Sequence, residues 1–338
     1  MLRSFTSRQV LYRQVLCRQV LALAAAALAL VALPQAASAQ KYPERPVRLV
    51  LPLGAAGVGD ITARIIAERL GDKLGQRFVI ENMPGAGGIS AANAVINAPP
   101  DGHTIGLVTN GTAISAALFR NLPFDPVRDY AMVSTIGTFD LVFAVNAESP
   151  FKTLGDFIAA TRRDPGKLNI GTINVGGTQN LGAELLRMTA KLDVQIVPYR
   201  NSPDIVVALL RNDMQMLVEF PPAVKGQVAD GKLRLLATSG PKRFPSMPDV
   251  PTVGEAGVAG YEVTSWNGVF APKGTKPDVI AVLNAALTEV LALPDIKSRF
   301  LDLGVVAKPS TPDELMALLK ADVQKWADVI EKAGIEKK

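Results

Sequence analysis

Val47-Arg48-Leu49-Val50-Leu51-Pro52-Leu53-Gly54-Ala55-Ala56-Gly57-Val58-Gly59-Asp60 reads as a short apolar strand, a Gly-rich loop and the start of an amphipathic helix. The same design returns at Leu168-Asn169-Ile170-Gly171-Thr172-Ile173-Asn174-Val175-Gly176-Gly177-Thr178, where the helix runs on through Leu181, Leu185 and Leu186. The first amides of a helix have no intrahelical partner and lie at the positive end of the helix dipole. A loop without bulky side chains in front of them therefore suits an anion. Two such units in one chain suggest two domains that close on one anionic ligand.

Outward from these units, strand and helix signals alternate, which predicts an α/β protein with largely parallel sheets. Strands are expected at 47–52, 77–81, 104–109, 131–136, 140–146, 168–172, 194–198, 214–219, 233–238 and 266–271. Helices are expected at 60–74, 87–97, 111–119, 153–163, 178–190, 202–211, 221–230, 276–292, 294–303 and 311–333. The last helix carries an apolar stripe of Leu315, Leu318, Leu319, Val323, Trp326, Val329 and Ile330. Its start, Ser310-Thr311-Pro312-Asp313-Glu314, offers a hydroxyl cap and acids near the positive end. Two extended runs, 141–145 and 266–271, are placed to cross between domains. Residues 143–267 would then form one domain, and 40–142 with 268–338 the other.

Residues 1–39 read as a leader. Arg3, Arg8, Arg13 and Arg18 precede an Ala/Leu-rich run from Val20 to Leu33, and Ala37-Ser38-Ala39 fits a small-x-small cleavage site. The apolar run is shorter than the roughly 20 residues a membrane span needs. The formal net charge is +5, and those four arginines leave only +1 for the rest. The basic balance therefore gives no reason to expect a nucleic-acid partner. Cys17 is the only cysteine and falls in the leader, so the expected mature chain has neither thiol chemistry nor a disulfide. Export to a periplasm fits both features. His103 is the only histidine, set in the turn Pro99-Pro100-Asp101-Gly102-His103-Thr104. One histidine excludes a multi-His metal site, and no Gly-x-Ser-x-Gly elbow accompanies it. No cofactor, metal or catalytic residue is expected.

The candidate ligand residues are Leu53, Gly54, Ala55, Ala56, Gly57, Asp60, Asn110, Thr112, Thr172, Asn174, Gly176, Gly177, Thr178, Gln179, Glu219 and Phe220. Asp60 is expected to cap the helix that follows, or to organise the loop at the cleft floor, with Arg64 one turn on as a counter-charge. Asn110-Gly111-Thr112 puts small polar groups at the carboxyl end of a strand, where open α/β sheets bind ligands; an ordinary turn is the plain alternative. Ser202 is expected to cap the helix near Pro203. Glu219 could set ligand selectivity or face solvent. Trp266 is expected in the core. Pro84-Gly85-Ala86-Gly87-Gly88 lacks both the third glycine of a dinucleotide loop and the lysine of a Walker loop. It reads as a tight turn able to shape the cleft wall.

Several segments occur in an order and spacing that resemble a known family. They are Tyr42-Pro43-x-x-Pro46-Val47-Arg48, the loop ending in Asp60-Ile61-Thr62-Ala63-Arg64, Glu81-Asn82-x-Pro84-Gly85-Ala86-Gly87-Gly88, Pro100-Asp101-Gly102-His103-Thr104 and Pro198-Tyr199-Arg200. Pro248-Asp249-Val250-Pro251-Thr252-x-x-Glu255-Ala256-Gly257 and Trp266-Asn267-Gly268-Val269-Phe270-Ala271-Pro272-x-Gly274-Thr275 complete the set. Together they resemble the Bug family, extracytoplasmic solute receptors associated with tripartite tricarboxylate transporters. The resemblance implies a type II periplasmic-binding-protein fold with a cleft between two domains. It also implies a small carboxylate ligand held largely by backbone amides and ordered water from two facing loops. Here 53–57 and 172–178 match those loops, and Asp60 matches the usual acid. The chain departs from the pattern at Ala56-Gly57, where adjacent glycines are common. It departs again at Asn180, which stands where the second loop usually ends in His.

The reading that results is a monomeric periplasmic solute-binding protein that captures a small carboxylate by hinge closure and meets membrane transporter subunits transiently. An exported enzyme acting on a carboxylated substrate and a sensory receptor of the same fold remain the alternatives.

Overall fold

Val47–Leu51 carries β-branched and leucine side chains that are almost all buried, as in a strand covered on both faces. Around it the computed structural model describes residues 42–55, 57–173 and 175–338. The expected leader, Cys17, Ala56 and Asn174 lie outside the described residues. Arg45–Lys338 form one compact unit.

Its strands are β1 (Val47–Leu51), β2 (Phe78–Asn82), β3 (Thr104–Thr109), β4 (Tyr130–Asp140), β5 (Val142–Asn146) and β6 (Asn169–Ile173), then β7 (Gln195–Tyr199), β8 (Met216–Glu219), β9 (Leu233–Thr238), β10 (Thr264–Pro272) and β11 (Val306–Ala307). The helices are α1 (Val58–Leu74), α2 (Ile89–Ile96), α3 (Asn110–Leu118), α4 (Leu154–Arg163) and α5 (Thr178–Thr189), then α6 (Ser202–Leu210), α7 (Pro221–Ala229), α8 (Pro277–Ala292), α9 (Pro294–Asp302) and α10 (Pro312–Lys332). A short turn of 3-10 helix, Ala86–Gly88, precedes α2.

Two sheets result. The first has the order β11-β4-β10-β3-β1-β2 and the second β7-β6-β8-β5-β9. The sheets are mixed rather than largely parallel. β1 runs parallel to β2 and β3, and β6 parallel to β7 and β8. β10 lies antiparallel to both β3 and β4, and β5 antiparallel to β8 and β9. The antiparallel pairs involve the strands beside the two crossings, which enter their sheets from the opposite end to the strands of the strand-helix-strand units.

The first crossing falls at Leu141, the first residue of the expected run 141–145, and the second lies outside the expected run 266–271. Leu141 alone separates β4 of the first sheet from β5 of the second, and the chain returns over 239–263. β10, including 266–271, belongs wholly to the first sheet. Ser239 ties the crossings together. Its amide donates to Leu141 O at 3.0 Å, its Oγ accepts from Leu141 N at 2.7 Å, and its carbonyl accepts from Val263 N at 2.8 Å.

α10 packs along α3 and β4. Thr311 caps it, with its Oγ1 accepting from Glu314 N at 3.2 Å and Glu314 returning a carboxylate to Thr311 N at 2.8 Å. Pro312 takes the first helical position, where a missing N–H costs nothing. The buried face is Leu315, Leu319, Asp322, Trp326, Val329 and Ile330. β11 went unrecognised in the sequence because two residues leave no periodic signal.

Candidate functional site

The carboxyl ends of β1, β3, β6 and β8 lead into 52–57, Thr109–Thr112, 174–177 and Phe220. A cavity of about 380 Å³ opens among three of these segments, a size suited to a small molecule. Pro52 and Leu53 line it from the first loop, Val175, Gly176, Gly177 and Thr178 from the second. Thr109, Gly111, Thr112, Ser115 and Leu118 of the α3 region and Gly85–Gly88 complete most of the wall. The turn Gly85–Gly88 thus does shape the wall. Gly87 and Gly88 take φ of 65° and 67°, a left-handed backbone that glycine adopts without strain.

The starts of α3 and α5 lie in this wall, and α1 begins just beyond the first loop, whose Pro52 and Leu53 line it. Gly57 caps α1 and Gly177 caps α5, each in extended backbone and neither with a side chain bonded to the first-turn amides. Elsewhere α4, α6 and α10 are capped by Thr153, Asn201 and Thr311, while α7, α8 and α9 have no side-chain cap. Gly54 and Gly57 stand clear, since a Cβ at either would meet nothing within 4 Å. Ala55 is exposed beside them.

Asp60 is not the helix cap. It is the third residue of α1, buried, and its carboxylate accepts from Nε and Nη2 of Arg64 at 3.0 and 2.9 Å. Asn82 at the end of β2 donates to Asp60 Oδ1 at 2.8 Å and to Leu53 O at 3.1 Å. The Asp60 carboxylate therefore fixes the amide that pins the first loop. Capping fell to Gly57 because the helix begins two residues earlier than the apolar pattern suggests.

The second loop is braced in a similar way by Asn180, the residue in the usual histidine position. Its Oδ1 accepts from Gly176 N at 3.0 Å and its Nδ2 donates to Thr172 Oγ1 at 3.3 Å. The Gly176 amide is thus occupied, and the amides of Thr178, Gln179 and Asn180 are the first of α5. Gly176 has φ of 78°, and a Cβ there would lie 2.6 Å from Leu118 Cδ2.

Glu219 neither faces solvent nor stands free toward a ligand. At 1% exposure it gathers three helix starts. Gln179 Nε2 and Phe220 N donate to its Oε1 at 2.8 Å each, and Ser202 Oγ donates to Oε2 at 2.7 Å. The Gln179 amide is spent here. Ser202 likewise serves Glu219, and Asn201 caps α6 instead, accepting from Asp204 N at 2.9 Å. Asn201, one residue earlier, holds the extended backbone of an N-cap, from which its side-chain oxygen reaches the third amide of the turn. The Phe220 ring meets Phe139 of β4 edge-on, with centroids 5.1 Å apart.

Asn110 and Thr112 begin α3. Asn110 Oδ1 accepts from Thr178 Oγ1 at 3.1 Å, joining the helix after β3 to the helix after β6. Its Nδ2 donates to Asp322 Oδ2 at 2.6 Å, where Trp266 Nε1 also donates at 2.6 Å. Trp266 is in the core as expected, with a polar tether besides. His103 sits in its turn, buried, its amide on Asp101 Oδ1. Asp322 was missed in the sequence, although a signal existed: it falls at helical spacing within the stripe Leu315, Leu319, Trp326 and Val329. An acid there demands buried donors. Among the described residues no group of three or more His, Cys, Asp or Glu could hold a metal ion.

Comparison with known proteins gives a consistent result. A family model described as "Tripartite tricarboxylate transporter family receptor" matches residues 62–335. Protein BugT of Bordetella pertussis is 31% identical over 89% of this chain and 93% of its own. R. palustris Rpa4515, solved with adipate, superposes with a TM-score of 0.77 at 31% identity, covering 87% of this chain and 99% of that one. MatC from Rhodopseudomonas palustris, solved with bound malate, gives 0.72 at 31% identity, covering 86% and 100%.

Proposed function

The chain belongs to the tripartite tricarboxylate transporter receptors, the Bug or TctC family of periplasmic solute-binding proteins, and we propose that it captures a small dicarboxylate between its two sheets for delivery to a membrane transporter. This is a family of binding proteins, not of enzymes. Adipate in Rpa4515 and malate in MatC are both dicarboxylates, which supports that ligand class here.

The observation that carries the proposal is the pair of helix starts, α1 behind Gly57 and α5 behind Gly177. Both leave their first amides uncapped by side chains, and both lead out of loops that line one cavity. A carboxylate there would gain charge-assisted hydrogen bonds from preorganised amides without needing an arginine clamp. Asp60, Asn82 and Asn180 hold the loops in place, and Glu219 sets the starts of α5, α6 and α7. In this proposal the ligand contacts come from the candidate residues around the two loops and Thr112. The lobes 40–142 with 268–338 and 143–267 close about the crossings at Leu141 and 239–263. Export by residues 1–39, a monomeric state and transient contact with transporter subunits belong to the same proposal.

A thermal-shift screen of mono-, di- and tricarboxylates, amino acids and aromatic acids tests it. A ligand at about 100 times its dissociation constant adds about 2.7 kcal/mol, which raises the melting temperature by about 5–10 °C. If no dicarboxylate shifts the transition while another class does, the proposal fails.

A further inference from the structure

A chain of buried polar groups runs from the first sheet to the cavity wall, and its direction is forced. The indole Nε1 of Trp266 can only donate, so Asp322 Oδ2 is a bare, accepting oxygen. Asn110 Nδ2 donates to that same oxygen. The Asn110 amide is thereby oriented, with its NH2 toward Asp322 and its carbonyl toward Thr178. A carbonyl only accepts, so the Thr178 hydroxyl spends its proton on Asn110 Oδ1 at 3.1 Å. Thr178 lines the cavity, and what it retains for a ligand is lone pairs.

Ser115, in the same wall on α3, reaches the same condition by a separate route. Its Oγ donates to Gly111 O at 2.9 Å. Thr112 is the opposite case: its Oγ1 accepts from Thr109 N at 3.2 Å and keeps a proton to give. The wall therefore presents donors at Thr112 and the helix amides, and acceptors at Thr178 and Ser115.

We infer that the site selects dicarboxylates bearing a hydroxyl or ammonium donor over plain diacids, because Thr178 and Ser115 face the cavity as acceptors. Asn110 and Asp322 act through Thr178 as positioning residues. The inference rests on the dicarboxylate reading. Within it, a plain diacid satisfies the donors and leaves two acceptors facing a ligand that cannot serve them, which costs affinity once water is displaced.

Matched pairs test the inference by isothermal titration calorimetry: succinate against malate, and adipate against 2-hydroxyadipate. In the pair whose length fits, the hydroxylated member should bind tighter, from a few-fold to about tenfold, the worth of one hydrogen bond. Thr178→Val should bring that ratio toward unity by weakening the hydroxy acid, and Thr178→Ser should restore it. Asn110→Ala, which frees the Thr178 proton, should lower the ratio with Thr178 still present. A general loosening of the fold would weaken both members alike and leave the ratio unmoved. Equal affinities in the unsubstituted protein, or tighter binding of the plain diacid, overturn the inference and leave the dicarboxylate proposal standing. Absence of binding by either pair sinks both.

Discussion

Gly57→Asp separates the charge of the first loop from its shape. Gly57 has φ −79° and ψ 166°, which any residue adopts, and a Cβ there meets nothing within 4 Å. The new carboxylate stands at the N-cap of α1, a position that favours Asp over Gly by a few tenths of a kcal/mol. Its interaction with the helix dipole adds about 0.3–1 kcal/mol. The unliganded protein should therefore melt at or slightly above the unsubstituted protein. A bound carboxylate experiences the reverse. Two unit charges roughly 5 Å apart repel by about 0.8 kcal/mol in bulk water and about 3.3 kcal/mol at an effective dielectric of 20. The dissociation constant of an identified dicarboxylate should thus rise at least about fourfold, and up to about 250-fold, shrinking with added salt. Calorimetric titration and a thermal melt on the same preparation give both numbers, with Gly57→Asn as the neutral control. Undiminished affinity together with a raised melting temperature would show that no anion sits at α1. Gly176→Asp would not serve, because its left-handed backbone and the nearby Leu118 disturb the loop whatever the charge.

Other consequences follow from the buried polar groups. Asp60→Ala should destabilise the protein by about 1–2 kcal/mol in urea unfolding, mostly through the lost Asn82 bond, since Arg64 is half exposed. Glu219→Ala leaves three donors without their acceptor and should cost about 3 kcal/mol in the same assay; a loss under 1 kcal/mol would contradict its bracing role. Asp140, buried beside the crossings with Thr264 Oγ1 at 3.2 Å and Glu262 nearby, has its carboxyl pushed up from 3.8 to about 6 by burial. The native state then holds this proton more tightly than the unfolded chain, so its contribution to stability falls as pH rises from about 4 to about 6. Asp140→Asn should therefore be more stable than the parent above pH 6, by at most roughly 2–3 kcal/mol, and no more stable at pH 4. A constant difference across that range would refute the assignment.

Much of the fold was legible because its units are strongly patterned. The strand-loop-helix design at Val47 and Leu168 and the stripe of α10 carry periodic signals that survive in a single sequence. The joining strands β4, β5 and β10 were placed by their apolar runs, but their antiparallel direction is not legible until the crossings are placed. In the site, backbone features could be read: Gly54, Gly57 and Gly177 announce open helix starts. Side-chain assignments fared less well. Ser202 and Gln179 each had a local cap or cleft role available, and each is instead bonded to Glu219, distant in sequence. Asp60 is not the cap, but it pairs with Arg64 and organises the first loop, its other expected role. The Glu219 carboxylate could be placed at a strand end, but the three helix starts it gathers are set by tertiary packing. Asn180 shows the converse, for a departure from the family pattern proves to brace the loop through Thr172 and Gly176.

A crystal structure with malate tests the central claim most directly. The account predicts carboxylate oxygens within about 3 Å of first-turn amides of α1 and α5, in the cavity between Leu53 and Thr178. A malate bound elsewhere, or clamped by arginine side chains while both helix starts remain on water, would contradict it.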